Sequence, residues 1–287
     1  MYSDGSDAHL PRSTSLTFPW AFYNTRIAQA YLQYRQQFAH DWMLKLNTSA
    51  GRTLVDYGYG HFGYTINMVS HSLGVPIAQF STRPDDDTLG TLDATLTGKL
   101  DWFGLRERIA IGGDFTRVRG SQSAEVYYGL GPPLTNVLTF DPQMYPDPRA
   151  TTPPDLVADV LEVLEQYGGF VSLQVDVNHA LSLSGGVRVA SDTFRLNASA
   201  GSGGGPLIDV GSLELSSSHV VQPYGALMYR INGHLSWYAS YADIYRTLIE
   251  PYLHSDGTPV GPQHGITLES GIKGVWRDGA LLLAAGF

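Results

Sequence analysis

The sequence predicts an all-β protein: an antiparallel up-and-down transmembrane β-barrel, partial at about ten strands, with long extracellular loops. Three observations support this fold class. Apolar and polar side chains alternate with a period of two over long stretches, as in strands with one apolar and one wetter face. Tight turns join these stretches in pairs, whereas long connections separate the pairs, and membrane-spanning barrels sort their connections in this way. The third observation is the position of the tryptophans, described below.

Composition narrows the class further. The chain has 287 residues, of which 43% are hydrophobic and 16% are charged, against about 25% charged in a typical soluble domain. The net charge of −9 argues against nucleic acid as a partner, because contact with phosphates requires clusters of Lys and Arg. Cysteine is absent, which excludes disulfides, thiolate metal sites and Cys nucleophiles.

The strands are predicted to form five hairpins. Residues 1–25 are polar and are predicted to be an N-terminal loop, and the barrel is predicted over 26–287. The alternating pairs cover 26–49, 92–115, 171–189, 221–241 and 266–285. Their tight turns are predicted at His40-Asp41, near Phe103-Gly104, and at Asn178-His179, Asn232-Gly233 and Asp278-Gly279. Asn-Gly is the strongest of these signals, because both residues of a type I′ turn need a positive φ.

The connections between hairpins are predicted to be long loops, over 51–90, 119–168, 190–220 and 243–265. One helix is predicted inside them, over 155–166, where Leu156, Val160 and Leu164 lie at helical spacing after two prolines.

Two polar stretches of the loops resemble ligand-binding motifs without completing them. The acidic run 85–87 resembles half of a calcium loop, but Leu96 stands where the bidentate Glu is needed, so a solvated turn is predicted. The glycine-rich stretch 201–205 lacks a strand-to-helix context and is predicted to be a flexible loop.

Four of the five tryptophans lie within a few residues of a tight turn and share the parity of the apolar face: Trp42, Trp102, Trp237 and Trp276. An indole prefers the headgroup level of a bilayer, where its ring is in hydrocarbon and its N–H is wet. These residues are therefore predicted to form a membrane girdle. The alternative is a Trp-rich core layer in a soluble β-sandwich.

Two segments near the C-terminus carry a family resemblance. They read VVQPYGALMYRINGHLSWYASYADIYRTLIEPY and GITLESGIKGVWRDGALLLA. They resemble the barrel of TonB-dependent siderophore receptors of Gram-negative outer membranes, which carries "P-Y-x-G-L-x-Y", "L-S-x-Y-A-S-Y-x-D-I-F" and "E-x-G-I-K-G-x-W-x-x-G-x-L". Matching positions include Pro223, Tyr224, Tyr229, Leu235, Tyr238, Tyr241, Asp243, Glu269, Lys273 and Trp276.

The resemblance implies a receptor in the cell outer membrane that takes up ferric siderophores with energy from the TonB complex. It also implies a barrel of about 22 strands and an N-terminal plug domain inside it, through which the TonB complex acts. Neither a plug nor a signal peptide is recognisable here, so the chain is expected to be a fragment of a receptor barrel. Outer-membrane lipid is an expected partner and nucleic acid is not. No resident cofactor, metal site or chemical step is expected, because no catalytic or metal-binding motif is present.

An iron chelate is flat and often anionic, so aromatic, Arg and Gln side chains near the loop ends are its expected contacts. The candidates are Gln29, Tyr31, Arg188 and Tyr224 on the wetter strand face, and Tyr127, Tyr128 and Tyr245 in or near loops. The alternative for each is an ordinary lumen or loop residue. Two other functions stay open from sequence: a small outer-membrane pore or adhesin, and a soluble glycan-binding β-domain.

Overall fold

The computed structural model describes most of the chain. The described residues are 4, 6–7, 9–62, 76–100, 104–131, 137–203, 205–246, 255, 260, 262–276 and 281–287. They form one antiparallel sheet of 11 strands. The strands are β1 (Phe22–Gln37), β2 (Met43–His61), β3 (Ile77–Ser81), β4 (Asp85–Leu100), β5 (Arg106–Tyr127), β6 (Leu156–Asp176), β7 (Leu181–Ser202), β8 (Ile208–Arg230), β9 (Leu235–Arg246), β10 (Gln263–Trp276) and β11 (Leu281–Gly286).

The prediction of five hairpins and an all-β fold is confirmed. Each strand pairs with its sequence neighbour, except that β3 and β4 share one place between β2 and β5. Residues 43–55 of β2 pair with β4, and the last residues of β2, Gly58–His61, pair with β3. Pro84 lies in the break between β3 and β4, directly before Asp85, where its missing N–H cannot continue the ladder. The described strands thus occupy ten places in the sheet, the number predicted.

Three of the predicted turns lie among the described residues in full. His40 and Asp41 both have positive φ, 59° and 60°, as a type I′ turn requires. The Asn232-Gly233 turn is at the predicted place, but neither residue is among those with positive φ. Instead the Asn232 Oδ1 accepts hydrogen bonds from the backbone N–H groups of His234 and Leu235, at 2.9 and 3.0 Å.

Asn178 closes its turn in the same way, by accepting from the N–H groups of Ala180 and Leu181 at 2.8 and 2.9 Å. Both turns are therefore held by an Asn side chain. The turn predicted at Asp278-Gly279, and Phe103 of the turn near Gly104, lie outside the described residues.

The helix predicted over 155–166 is wrong, because these residues belong to β6. Leu156, Val160 and Leu164 are four residues apart, a spacing that fits one face of a helix and also one face of a strand. Long-range pairing decides between the two, since β6 is bonded along its length to β5 and to β7. No helix among the described residues is long and apolar enough to cross a membrane.

Two of the predicted loops are largely strand. In the stretch 51–90, β2 continues to His61, β3 follows at Ile77–Ser81, and β4 begins at Asp85. In the stretch 190–220, β7 runs to Ser202 and β8 begins at Ile208. Register shifts after Ala190 and Ala198 interrupt the β7–β8 ladder, which removes the simple period of two that a sequence pattern needs.

The acidic run 85–87 is also not a solvated turn, because it lies in β4 and is half-buried. Asp86 receives a bidentate pair from the Arg52 guanidinium of β2, at 2.8 Å for both bonds.

The sheet has one polar and one apolar face, defined here by residues that the register places together. The polar face carries Asn47, Asp93, Asp114, Arg188 and Gln222. The apolar face carries large side chains that stay exposed, among them Leu92, Ile111, Val171, Leu183 and Leu268. In a water-soluble sheet such a face would be covered.

The buried core lies at the loop end of β1 to β3 rather than between sheet layers. We name it the aromatic cluster: Phe18, Trp20, Phe22, Phe62, Phe80, Tyr127, Phe140 and Tyr145. Phe18 stacks on Trp20 with ring centroids 5.0 Å apart, and the Trp20 Nε1–H donates to the Tyr145 carbonyl at 2.9 Å. Three short 3-10 turns between β5 and β6, Val137–Thr139, Pro142–Met144 and Pro148–Ala150, lie next to it in sequence.

Candidate functional site

A row of polar side chains crosses the polar face at one level. The Gln33 amide donates to Asn47 at 2.7 Å, and the Asn47 amide donates to Asp93 at 2.8 Å. Asp93 lies directly opposite Asp114 on the next strand. The Arg188 guanidinium then donates twice to Asp114, at 2.7 and 3.2 Å, and once to Gln222 at 3.3 Å. The side-chain hydrogen bonds of this polar row thus join β1, β2 and β4 in one group and β5, β7 and β8 in another, with Asp93 facing Asp114 between the two groups.

Arg188 reaches Asp114 across an intervening strand, and a glycine makes this possible. Gly168 of β6 stands between the two residues in the register. A Cβ at Gly168 would lie only 2.6 Å from Arg188 Nη2. The absent side chain therefore leaves the channel through which the guanidinium passes.

A cavity of about 400 Å³ opens beside Arg188, a size typical of small-molecule sites. Its lining combines an apolar floor with polar and charged groups: Leu164, Gln166, Arg188, Ala190, Ser191, Asp192, Gln222, Tyr245 and Arg246. The Tyr245 hydroxyl donates to Asp192 Oδ1. Sequence reasoning named Arg188 and Tyr245 but missed Asp192, because its strand was taken for a loop.

A ladder of rings lies on the same face at the loop end of β1 and β2. Tyr23 stacks on Tyr57 at 6.3 Å, Tyr57 lies 5.6 Å from Tyr59, and Tyr59 stacks on His61 at 6.3 Å. The Tyr59 hydroxyl donates to Gln79 at 2.8 Å. Sequence reasoning missed this ladder. The signal was the alternation Tyr57-Gly-Tyr59-Gly-His61, which continues the period of β2.

The seven predicted ligand contacts fall into three places. Arg188 and Tyr245 line the cavity, and Tyr224 lies near it on β8, where its ring approaches Gly186. Gln29 and Tyr31 lie on β1, where the Tyr31 hydroxyl donates to the Gln29 amide oxygen at 2.6 Å.

Tyr127 and Tyr128 lie at the end of β5. Tyr127 is buried at 3% exposure and donates to Glu125 at 2.9 Å, whereas Tyr128 is 54% exposed. The structure therefore brings only part of the predicted set together. Among the described residues, no group of three or more His, Asp or Glu side chains is placed to hold a metal ion.

The described tryptophans of the predicted girdle share the apolar face near the turns. The Trp42 ring covers Gly98, and the Trp237 Nε1–H donates to the Ser270 hydroxyl at 2.9 Å. Trp276 stacks on His234 with centroids 6.5 Å apart. Trp102 lies outside the described residues.

Comparison with known proteins gives one family and a set of relatives. The model of the family described as TonB dependent receptor-like, β-barrel matches residues 2–287. The ferric-pyoverdine M114 receptor PbuA of Pseudomonas sp. (strain M114) is 29% identical, over 98% of this chain and 33% of that protein. The ferric-pyoverdine 358 receptor of Pseudomonas putida is 23% identical, over 98% of this chain and 33% of that protein.

A solved structure has the same fold. The ferripyoverdine receptor of the outer membrane of Pseudomonas aeruginosa, bound to ferripyoverdine, superposes with a TM-score of 0.72 at 22% identity. The superposition covers 99% of this chain and 35% of that one. The chain thus spans about a third of the length of the curated relatives it matches.

Proposed function

The chain belongs to the TonB dependent receptor-like β-barrel family, and from this premise we propose that it forms part of the wall of an outer-membrane receptor for ferric siderophores. The match over residues 2–287 is the observation that carries the proposal. The polar face is then the lumen of the barrel and the apolar face meets lipid. The iron is cargo, ligated by the siderophore, and uptake uses energy from the TonB complex acting through a plug. The N-terminal loop predicted over 1–25 is proposed to end earlier, because residues 22–25 already belong to β1.

We propose that the bilayer contacts the apolar face of the sheet. Its lower edge is the level of Trp42, Trp237 and Trp276 near the turns, the girdle of the earlier prediction. Towards the loop end the same face becomes charged. There Glu165 pairs with Arg117 at 3.4 Å and with Arg195 at 3.3 Å. Charged rows of this kind belong in the headgroup region or beyond it, because charges in hydrocarbon are costly.

The proposed ligand contacts are those that the lumen face presents around the cavity and towards the loops. Arg188 and Tyr245 line the cavity and Tyr224 lies near it. The ring ladder from Tyr23 to His61 offers stacking surfaces for a flat chelate. Gln29 and Tyr31 continue that surface down β1, and the exposed Tyr128 is retained as a contact at the loop end. Tyr127 is buried in the aromatic cluster, where it supports that end of the sheet. Because the Arg188 charge is already paired with Asp114, we propose that it fixes the cavity wall as much as it attracts an anion.

Two measurements test the proposal. The detergent-refolded chain is expected to shift its electrophoretic mobility on boiling, as barrels do. A soluble monomer without such a shift would contradict every membrane function. The refolded chain is also expected to bind a ferric hydroxamate chelate saturably, measured by quenching of tryptophan fluorescence, and to bind the iron-free chelate more weakly. Ion conductance in a planar bilayer without chelate binding would instead support the small pore. Neither the pore or adhesin nor the glycan-binding domain accounts for the family match.

A further inference from the structure

Asp192 lines the cavity, and one of its two carboxylate oxygens is buried without a hydrogen-bond partner among the described residues. Asp192 of β7 is only 3% exposed. Its Oδ1 accepts the Tyr245 hydroxyl hydrogen bond, whereas its Oδ2 is buried and bonds to nothing among the described residues. A buried carboxylate oxygen without a donor is unfavourable. An unpaired carboxylate oxygen on a residue that lines a cavity of this size indicates that a ligand supplies the missing hydrogen-bond donor.

Two arginines of the described chain line the cavity, Arg188 and Arg246, and neither forms an ion pair with Asp192. The Arg188 guanidinium, which lines the same cavity, is held by two hydrogen bonds to Asp114 and one to Gln222. Turning it towards Asp192 would leave Asp114 without its partner. Among the ion pairs of the described residues, none includes Asp192.

The lining defines the missing group further. A neutral donor would satisfy the hydrogen bond but would leave the charge of Asp192 buried without a counter-ion. A single water occupies about 30 Å³, so the cavity of about 400 Å³ has space for a group much larger than water. Leu164 and Ala190 offer apolar surface on which a methylene stem can lie, while the Gln166 and Gln222 amides line the same space.

We propose that this cavity binds a primary ammonium group, carried on a methylene stem by the ferric chelate, against Asp192 Oδ2. The inference rests on the proposed function and narrows its substrate class to chelates with a free amine. Asp192 is then the residue that determines specificity, and Tyr245 positions it by holding its other oxygen.

The test compares two probes that differ only in this amine: a linear ferric trihydroxamate with a terminal ammonium, and the same chelate after N-acetylation. Binding of each to the detergent-refolded full chain is followed by quenching of tryptophan fluorescence. Wild-type protein should prefer the ammonium form about tenfold or more, because charge-assisted hydrogen bonds are the strong ones. Asp192→Asn should reduce that preference to about one, because the variant lacks the charge that distinguishes the ammonium form. Asp209→Asn, an exposed carboxylate away from the cavity, should keep the full preference.

The outcomes separate the two proposals. Equal binding of the two chelates by wild-type protein, or a preference that survives in Asp192→Asn, would overturn the ammonium site and leave the receptor function standing. If wild-type protein binds neither chelate, the proposed function fails and the site fails with it. The wild-type comparison needs no variant, so it decides the matter even if Asp192→Asn does not fold.

Discussion

The barrel wall and the aromatic cluster at its loop end are held together differently. In the wall, strand pairing sets the structure, and large apolar side chains remain exposed, such as Leu268 at 71% and Ile266 at 66%. In the aromatic cluster, Phe18 and Phe80 are 2% and 1% exposed and contact several other rings. The cluster buries its apolar surface within the protein, whereas the wall leaves its apolar surface exposed.

The difference is also visible within one strand. At the end of β2, Tyr57 and Tyr59 point to the polar face, and Gly58 and Gly60 alternate with them. A Cβ at Gly58 would lie 2.5 Å from the Phe80 ring, and one at Gly60 would lie 2.5 Å from the Phe18 ring. The glycines let the aromatic cluster pack against the backbone of the wall. The same strand therefore contributes to the apolar face, to the polar face and to a water-excluding core along different parts of its length.

The largest contrast is expected when the same residue type is removed from both regions. Phe80→Ala should lower the free energy of unfolding by about 3–5 kcal/mol, because the ring is buried against Trp20 and Tyr127, with centroids 5.1 and 5.7 Å apart. Phe115→Ala, on the apolar face at 41% exposure, should cost less than about 1 kcal/mol in detergent. Urea unfolding in detergent measures both.

Limited proteolysis adds a regional readout to this pair. Phe80→Ala should open the loop end to cleavage while the strands near the turns stay protected. Equal losses in the two variants would mean that the aromatic cluster is not a separate core.

A smaller effect is expected within the wall, at two adjacent glycines of β6. Gly168→Ala would place a methyl group 2.6 Å from Arg188 Nη2, so the guanidinium must shift and its hydrogen bonds to Asp114 are weakened. The loss should be about 1–2 kcal/mol, the scale of hydrogen bonds to a charged group. Gly169→Ala has no heavy atom nearer than 3.7 Å and should stay within about 0.5 kcal/mol of wild type. If both variants unfold at the same urea concentration, the polar row does not depend on the Gly168 channel.

The wall was predictable from sequence because period-two alternation is a local signal. Hairpins such as Leu92 to Phe115 keep that period, and their turns carry local markers such as Asn178 and Asn232. The prediction failed in β7 beyond Ala190, where apolar residues no longer continue the alternation of the preceding residues. It also failed in 155–166, where the spacing of apolar residues fits a helix and a strand equally.

The site was only partly predictable, because its geometry depends on strands far apart in sequence. Arg188 was singled out by its polar position, but its partner Asp114 is 74 residues away. Asp192 and Tyr245 are separated by 53 residues. The aromatic cluster joins Trp20 to Tyr145, 125 residues apart. No single-sequence pattern encodes such pairs, since each requires the register of the whole sheet.

The smallest expected effect is a pH dependence of stability that is confined to the aromatic cluster. Arg149, whose guanidinium lies 4.1 Å from the centre of the Phe80 ring, donates to Asp147 at 2.7 Å and holds the pKa of that carboxyl below its usual value. A carboxyl with a depressed folded-state pKa adds stability above its unfolded value of about 3.9, and this contribution is lost as the pH falls through the folded value. The pair is partly exposed, so the contribution should not exceed about 1 kcal/mol. Between pH 7 and pH 3, wild-type protein should therefore lose stability at the loop end relative to Asp147→Asn, measured as the difference in their rates of proteolytic cleavage. A constant difference between the two proteins down to pH 3 would show that the Asp147–Arg149 pair does not support the aromatic cluster.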